Sequence, residues 1–156
     1  MDRVETGNLN RQFFFPDQVG QVKVDALADN LLRLEPRLHV LRHQLRVSAA
    51  NLPTLLGPCD LVIEAFDGAR DKEMVWNVMA RGPHRRPLVG ASGLAGWRNL
   101  EAVRVRHLGS RFVMCGDSGP GVSDACPPLA PKVGAVACLQ AGAAVAFMME
   151  MKPPHR

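Results

Sequence analysis

The chain has 156 residues, 47% of them hydrophobic and 22% charged, with a formal net charge of +4. That is enough chain for one domain with a core of its own, at the composition of an ordinary soluble globular protein. The basic residues are dispersed, and the one dense group, Arg81, His84, Arg85 and Arg86, has no interleaved aromatics, which fits a solvated loop and argues against a nucleic-acid groove. Met1 to Glu5 leads into no apolar run, so no signal peptide is read there. Cys59, Cys115, Cys126 and Cys138 include no CxxC pair, which argues against a structural zinc. Free thiols in a reducing cytoplasm are the expectation.

Near the start, Asn8-Leu9-Asn10-Arg11-Gln12 precedes the aromatic stretch Phe13-Phe14-Phe15-Pro16, and Lys23 follows. Arginine presents a planar fork of donors and lysine a point charge, and such groups together neutralise phosphate oxygens. Taken alone, the run reads as a polar turn beside an apolar anchor; a polyphosphate site is the sharper reading, and the rest of the chain favours it. Over residues 22–34, Val24, Leu27, Leu31 and Leu34 recur at the spacing of one helical face, and Pro36 stops the helix. Residues 38–41 are expected to begin a short strand. Ser48 is placed to cap a brief helix through Leu56, ended by Gly57-Pro58.

Residues 60–66 are a nearly continuous apolar run, suited to a parallel strand buried on both faces. Asp67-Gly68 then sits at its carboxyl end, where open α/β sheets bind their ligands. A helix over 70–80 and a strand over 87–91 follow, the latter running into the flexible segment 92–96. Residues 101–106 alternate apolar and charged, as a half-exposed strand does, and can pair with 111–115 through Gly109-Ser110. A Gly/Pro/Ser-rich loop covers 116–131. The last element, over 134–149, is apolar but short for a membrane span and holds Gln140, so it reads as a buried core helix. Lys132 stands at its start, where a cation opposes the helix dipole; a functional or salt-bridged lysine is the expectation. Cys115, at a strand end, is either an accessible thiol or a small core residue. The Gly116-Asp117-Ser118-Gly119-Pro120 run looks like a serine-protease nucleophile segment, but an α/β pattern cannot place the rest of that triad.

Strands and helices alternate in the first two thirds, so the class is α/β. The segments Asp2-Arg3-Val4-Glu5-Thr6-Gly7-Asn8-Leu9-Asn10-Arg11-Gln12, Val19-Gly20-Gln21-Val22-Lys23 and 60–67 resemble, in order and spacing, the ThiF/MoeB/HesA family, bacterial relatives of ubiquitin-activating enzymes. Residues 91–96, Cys115-Gly116-Asp117 and Ala130-Pro131-Lys132-Val133-Gly134 are similar to the short ThiF type that serves the sulfur carrier ThiS. The resemblance implies ATP and Mg2+ as cofactors and adenylation of the C-terminal glycine of a ubiquitin-like sulfur-carrier protein, in thiamine biosynthesis for that subtype. By position it places Asn8, Leu9, Asn10, Arg11, Lys23, Asp67 and Gly68 at the nucleotide. Arg11, Lys23 and Asp67 are then the catalytic groups, Asp67 the magnesium ligand, and Cys115 a candidate thiol for sulfur transfer. Asp117 and Ser118 are candidates to line the site. A homodimer is implied, in the cytoplasm, with neither nucleic acid nor membrane as partner.

Two departures qualify the resemblance. Asp67-Gly68 stands where the family has Asp-Asn, and the family's opening strand, GxGxxG loop, helix and second strand have no counterpart in residues 1–156. The expectation is therefore a partial ThiF-type adenylyltransferase domain: a Rossmann-like doubly wound sheet lacking its first two strands and glycine loop, with a C-terminal apolar helix. Its 60–66 strand would be an unpaired edge, and the chain an N-terminally clipped form of a longer protein. The alternative is a catalytically inactive family member that binds the carrier or an intact partner subunit. An ordinary dinucleotide oxidoreductase would need the glycine loop.

Overall fold

The computed structural model describes residues 2–83, 86–119, 121–123 and 125–151; His84 and Arg85 of the basic group, and Pro120, lie outside these. The chain divides into two units, Met1–Arg46 and Val47–Arg156.

In the first unit, 3-10 turns at Thr6–Asn8 and Pro16–Gln18 lead into helix α1, Lys23–Leu34. The helix stands where the periodicity puts it, but its buried side is a different one. Val24, Leu27 and Leu34 are exposed, Leu34 by 71%, whereas Ala26, Ala28 and Asn30 are buried. A reciprocal amide pair decides this. Gln18 Nε2 donates to Asn30 Oδ1 (2.9 Å) and to the Ala26 carbonyl (3.1 Å), and Asn30 Nδ2 donates back to Gln18 Oε1 (3.1 Å). The same two side chains hold the aromatic stretch, through Asn30 Nδ2 to Phe13 O (2.7 Å) and Phe15 N–H to Gln18 Oε1 (3.0 Å). The Gln18 and Asn30 side chains are both buried with partners, so removing one strands the other. Asn30→Leu should cost about 1–3 kcal/mol, read as a lower urea midpoint, while Leu34→Ala on the exposed side leaves the midpoint unchanged.

Residues 38–44 form no strand, contrary to the sequence expectation, and Leu38 and Leu41 are exposed. An extended segment needs a neighbour for its backbone donors and acceptors, and among the described residues none pairs with this one.

The second unit carries a four-stranded sheet among the described residues: β1 (Val62–Ile63), β2 (Leu88–Ser92), β3 (Arg104–His107) and β4 (Phe112–Gly116), in the order β1-β2-β4-β3. β1 and β4 run parallel to β2, and β3 pairs antiparallel with β4. The helices are α2 (Leu52–Leu56), α3 (Ala69–Arg81) and α4 (Ala130–Met151). β2 shows how one strand serves both faces. Leu88 joins Leu52, Leu56, Val75 and Met79 of α2 and α3, whereas Val89 and Ala91 join Val113, Cys115, Val136 and Ala144 toward α4. The period-2 alternation of strand side chains makes this possible, and a parallel strand so covered is apolar throughout. At Gly90 a Cβ would stand 2.6 Å from the Trp76 ring, so the strand keeps glycine where α3 packs closest.

Two expectations are corrected. β1 is shorter than its apolar run and lies at the edge of the described sheet, as expected for a 60–66 strand without its neighbours, so Ile63 is 51% exposed and the strand is not buried on both faces. α4 is a one-sided helix and not a core helix: Lys132, Val136, Gln140 and Ala144, spaced one turn apart, are buried, while Leu139, Val145, Met148, Met149 and Met151 are exposed. By length and composition alone α4 could cross a membrane; Val136 and Ala144, with Ala143 and Phe147, pack in the core it shares with β2 and β4, while Leu139, Val145 and the three methionines face outward.

Candidate functional site

Asn8, Leu9, Asn10 and Arg11 occupy the Thr6–Asn8 turn and its exit. Asn8 is buried and its Oδ1 accepts the Glu5 N–H (3.0 Å), which fixes the turn. The Arg11 Nη1 donates to the Gly7 carbonyl (2.7 Å) and to Asn10 Oδ1 (2.8 Å). A guanidinium has five donors, and these two bonds use one nitrogen, so the group is oriented with donor capacity to spare. Lys23 opens α1, its ammonium 2.7 Å from Asp2 Oδ2; the lysine side chain is 18% exposed and the aspartate 70%. Asp2 thus occupies the charge that the sequence reading gave to a phosphate. Surface pairs of this kind contribute about 0–1 kcal/mol, so an incoming polyanion displaces the carboxylate at little cost. Asp2→Asn should leave the unfolding midpoint within about 1 kcal/mol of wild type while raising affinity for inorganic triphosphate, measured by calorimetric titration.

Asp67 and Gly68 belong to the second unit and follow the carboxyl end of β1; both are exposed. Gly68 is the N-cap of α3, and the Lys72 N–H donates to its carbonyl at 3.0 Å. Just before them stands a residue the sequence reading passed over. Glu64 is fully buried, and its Oε1 accepts the Phe66 N–H (2.6 Å) and the Lys72 ammonium (3.0 Å). Its backbone is equally engaged, the N–H with Val89 O (2.9 Å) and the carbonyl with Gln140 Nε2 of α4 (3.1 Å). The available signal was a lone acid inside an otherwise apolar strand run.

At the carboxyl ends of β2 and β4, Lys132 reaches Asp117 Oδ2 (2.5 Å) and the Ala95 (2.9 Å) and Arg98 (3.5 Å) carbonyls. The ion pair is nearly dry, with side chains 4% and 8% exposed. Burial alone would push the Asp117 carboxyl up, but the Lys132 hydrogen bond and charge and the Gly119 N–H (2.7 Å) outweigh it and hold the carboxyl below its ordinary range. This resolves the misfit at the helix start: Lys132 is salt-bridged. Two glycines make room for the cluster. Gly93 (φ +74°) and Gly116 (φ +135°) adopt backbone that L side chains avoid, and a Cβ would fall 1.7 Å from Asp117 Oδ1 and 1.6 Å from Ser92 O respectively. Gly116→Ala should therefore lower stability by at least about 1–3 kcal/mol and loosen the β2–β4 register, visible as faster amide exchange at Ser92. The Ser118 hydroxyl accepts a hydrogen bond from Arg106.

The candidate thiol is corrected. Cys115 is fully buried in the α4-side core, and that burial pushes its thiol up from the ordinary value. Such a sulfur is a small core residue. Cys138 is exposed on α4, where it lines a groove of about 400 Å³ whose other walls include Val105, His107 and Phe147.

Across residues 1–156 the chain matches the ThiF family. The chain belongs to that family. Among its relatives, the ubiquitin-like modifier-activating enzyme 5 of Drosophila pseudoobscura pseudoobscura is 35% identical over 78 residues, covering 42% of this chain and 20% of that protein. A sulfur carrier protein adenylyltransferase of Thermus thermophilus is 34% identical over 76 residues, 48% of this chain and 28% of the relative. The adenylyltransferase and sulfurtransferase MOCS3 of Culex quinquefasciatus is 31% identical over 94 residues, 60% and 21%. Less than a third of each relative's length is thus matched. Among solved structures, the E. coli tRNA N6-threonylcarbamoyladenosine dehydratase TcdA in complex with AMP superposes with a TM-score of 0.83 at 20% identity, over 96% of this chain and 74% of that one. ThiF-family membership and the mixed α/β, Rossmann-like fold expected from sequence are thereby confirmed.

Proposed function

We propose that this chain is an ATP-dependent adenylyltransferase domain acting on the C-terminal carboxylate of a ubiquitin-like carrier protein. The observation that carries the reading is the family match over residues 1–156; Asn8, Arg11, Lys23 and Asp67 enter it as the residues that the sequence resemblance assigns to the nucleotide. The donor chemistry fits ATP and Mg2+. Arg11 and Lys23 are cations suited to phosphate oxygens, and Asn8 adds an amide. Asp67 is an exposed carboxylate, and magnesium is commonly held by one or two carboxylates together with substrate phosphates. The metal, when bound, would withdraw charge from the phosphate under attack. The chain's own residues orient the nucleotide and offset charge as the carrier's carboxylate displaces pyrophosphate; no protein nucleophile is required.

Within this reading the carrier is ThiS-like and the product serves thiamine synthesis. Support comes from the three segments that resemble short ThiF proteins. They meet in the second unit, where Lys132 of the third bonds Asp117 of the second and Ala95 of the first. A homodimer is part of the same proposal. The test is pyrophosphate release from ATP, measured with and without a ThiS-type carrier, beside a MoaD-type carrier. Release that requires the ThiS-type carrier is the expected result. Release with the MoaD-type carrier alone reassigns the partner. No release with either, while the carrier is bound, favours the inactive partner-subunit reading.

A further inference from the structure

The buried acid at the end of β1 has no place in the chemistry described so far. Glu64 Oε1 is bonded to both Phe66 N–H and Lys72, but Oε2 is buried without a hydrogen-bond partner among the described residues. A carboxylate kept dry and half-satisfied costs stability, and a buried ion pair replaced by apolar side chains is often neutral or stabilising. Packing alone therefore does not explain Glu64. What distinguishes it is where Oε1 lies. The acceptor reaches two residues ahead and takes the N–H of Phe66, the residue that immediately precedes Asp67. Lys72, on the first turns of α3, closes the same acceptor from the other side. The turn bearing Asp67 is thus tied at its entrance by Glu64 and at its exit by the α3 N-cap, Gly68.

We infer that Glu64 is a positioning residue: its carboxylate fixes the Phe66–Gly68 turn and thereby aims the Asp67 carboxylate, with Lys72 balancing the buried charge. The inference rests on the adenylation reading for what Asp67 is aimed at, but the ordering of the turn is independent of it. It also explains why the pair is kept as ions. A neutral acceptor would hold one N–H less strongly, since hydrogen bonds to a charged acceptor are roughly twice as strong.

The experiment compares wild type with Glu64→Gln and with the double variant Glu64→Leu/Lys72→Met, which removes both charges at similar volume. The double variant is expected to melt close to wild type, yet to exchange its Phe66, Asp67 and Gly68 amides about tenfold faster without nucleotide, the size of one lost charge-assisted hydrogen bond. In the presence of ATP, its Mg2+ titration midpoint should rise by a similar factor while affinity for metal-free ATP is unchanged. Glu64→Gln, which keeps an acceptor for Phe66, should fall between the two. Unchanged exchange at Phe66 to Gly68 in the double variant overturns the proposal, whatever the nucleotide data. An unchanged Mg2+ midpoint with faster exchange overturns the link to Asp67. A wild-type chain that binds no MgATP sinks the adenylation reading instead, and the exchange comparison still decides whether Glu64 orders the turn.

Discussion

Replacing Lys132 by methionine is expected to destabilise the second unit by about 3–5 kcal/mol, the cost of stripping one partner from a buried ion pair. Methionine keeps most of the aliphatic volume, so the loss is electrostatic. Asp117 is left as an uncompensated carboxylate in a site 8% exposed, and the Ala95 and Arg98 carbonyls lose their donor. Thermal melting should fall by roughly 10 °C. The double variant Lys132→Met/Asp117→Leu should recover much of that loss, because it leaves no unpaired charge. Acid titration gives a second check. The folded-state Asp117 carboxyl lies below its ordinary value of 3.8, so its contribution is fully present above that value and is lost as the pH falls through the lower folded value. Wild type should lose stability in that acid window, and Lys132→Met should lose much less or gain. A variant that melts like wild type and keeps the acid-dependent loss would mean the ion pair contributes nothing.

The elements legible in the sequence are those whose own pattern determines them. α3, β2, the β3–β4 hairpin and α4 fall within a few residues of their expected places, because the hydrophobic period and the Gly/Pro boundaries are local. What failed depended on neighbours. Residues 38–41 have strand-like composition but no described strand beside them. The face of α1 was misread because a buried Gln18–Asn30 amide pair, and not the leucine stripe, decides which side packs. In the candidate site, Arg11 and Lys23 stand out in the sequence by their charge and Asp67 by its place after a strand run, but only the resemblance gives them roles at a nucleotide, and those roles belong to the proposal. Lys132 was legible on physical grounds, as a cation at the wrong end of a helix. Glu64 was not, because one acid in an apolar run leaves the period of the run intact.

Asp67→Ala should lower carrier-dependent pyrophosphate release by about 10²–10³, the range seen when one group stabilising transition-state charge is removed. Two features of the chain sharpen this. First, Asp67 is exposed, so its loss leaves no buried partner behind, and the melting temperature should stay within a few degrees of wild type. A fall in activity then reports chemistry and not unfolding. Second, Arg11 is held in place by Gly7 and Asn10 through a single nitrogen, so Arg11→Lys keeps the charge but loses the oriented fork. If positioning of the phosphates matters as much as their neutralisation, Arg11→Lys should lose most of what Arg11→Ala loses. Raised Mg2+ should partly rescue an Asp67→Asn variant, which keeps one oxygen ligand, and should leave Arg11→Ala unimproved. Equal rescue of both would mean that Asp67 acts through general charge and not as a metal ligand. Full activity in Asp67→Ala would remove the residue from the site and, with it, the reason for Glu64 to order that turn.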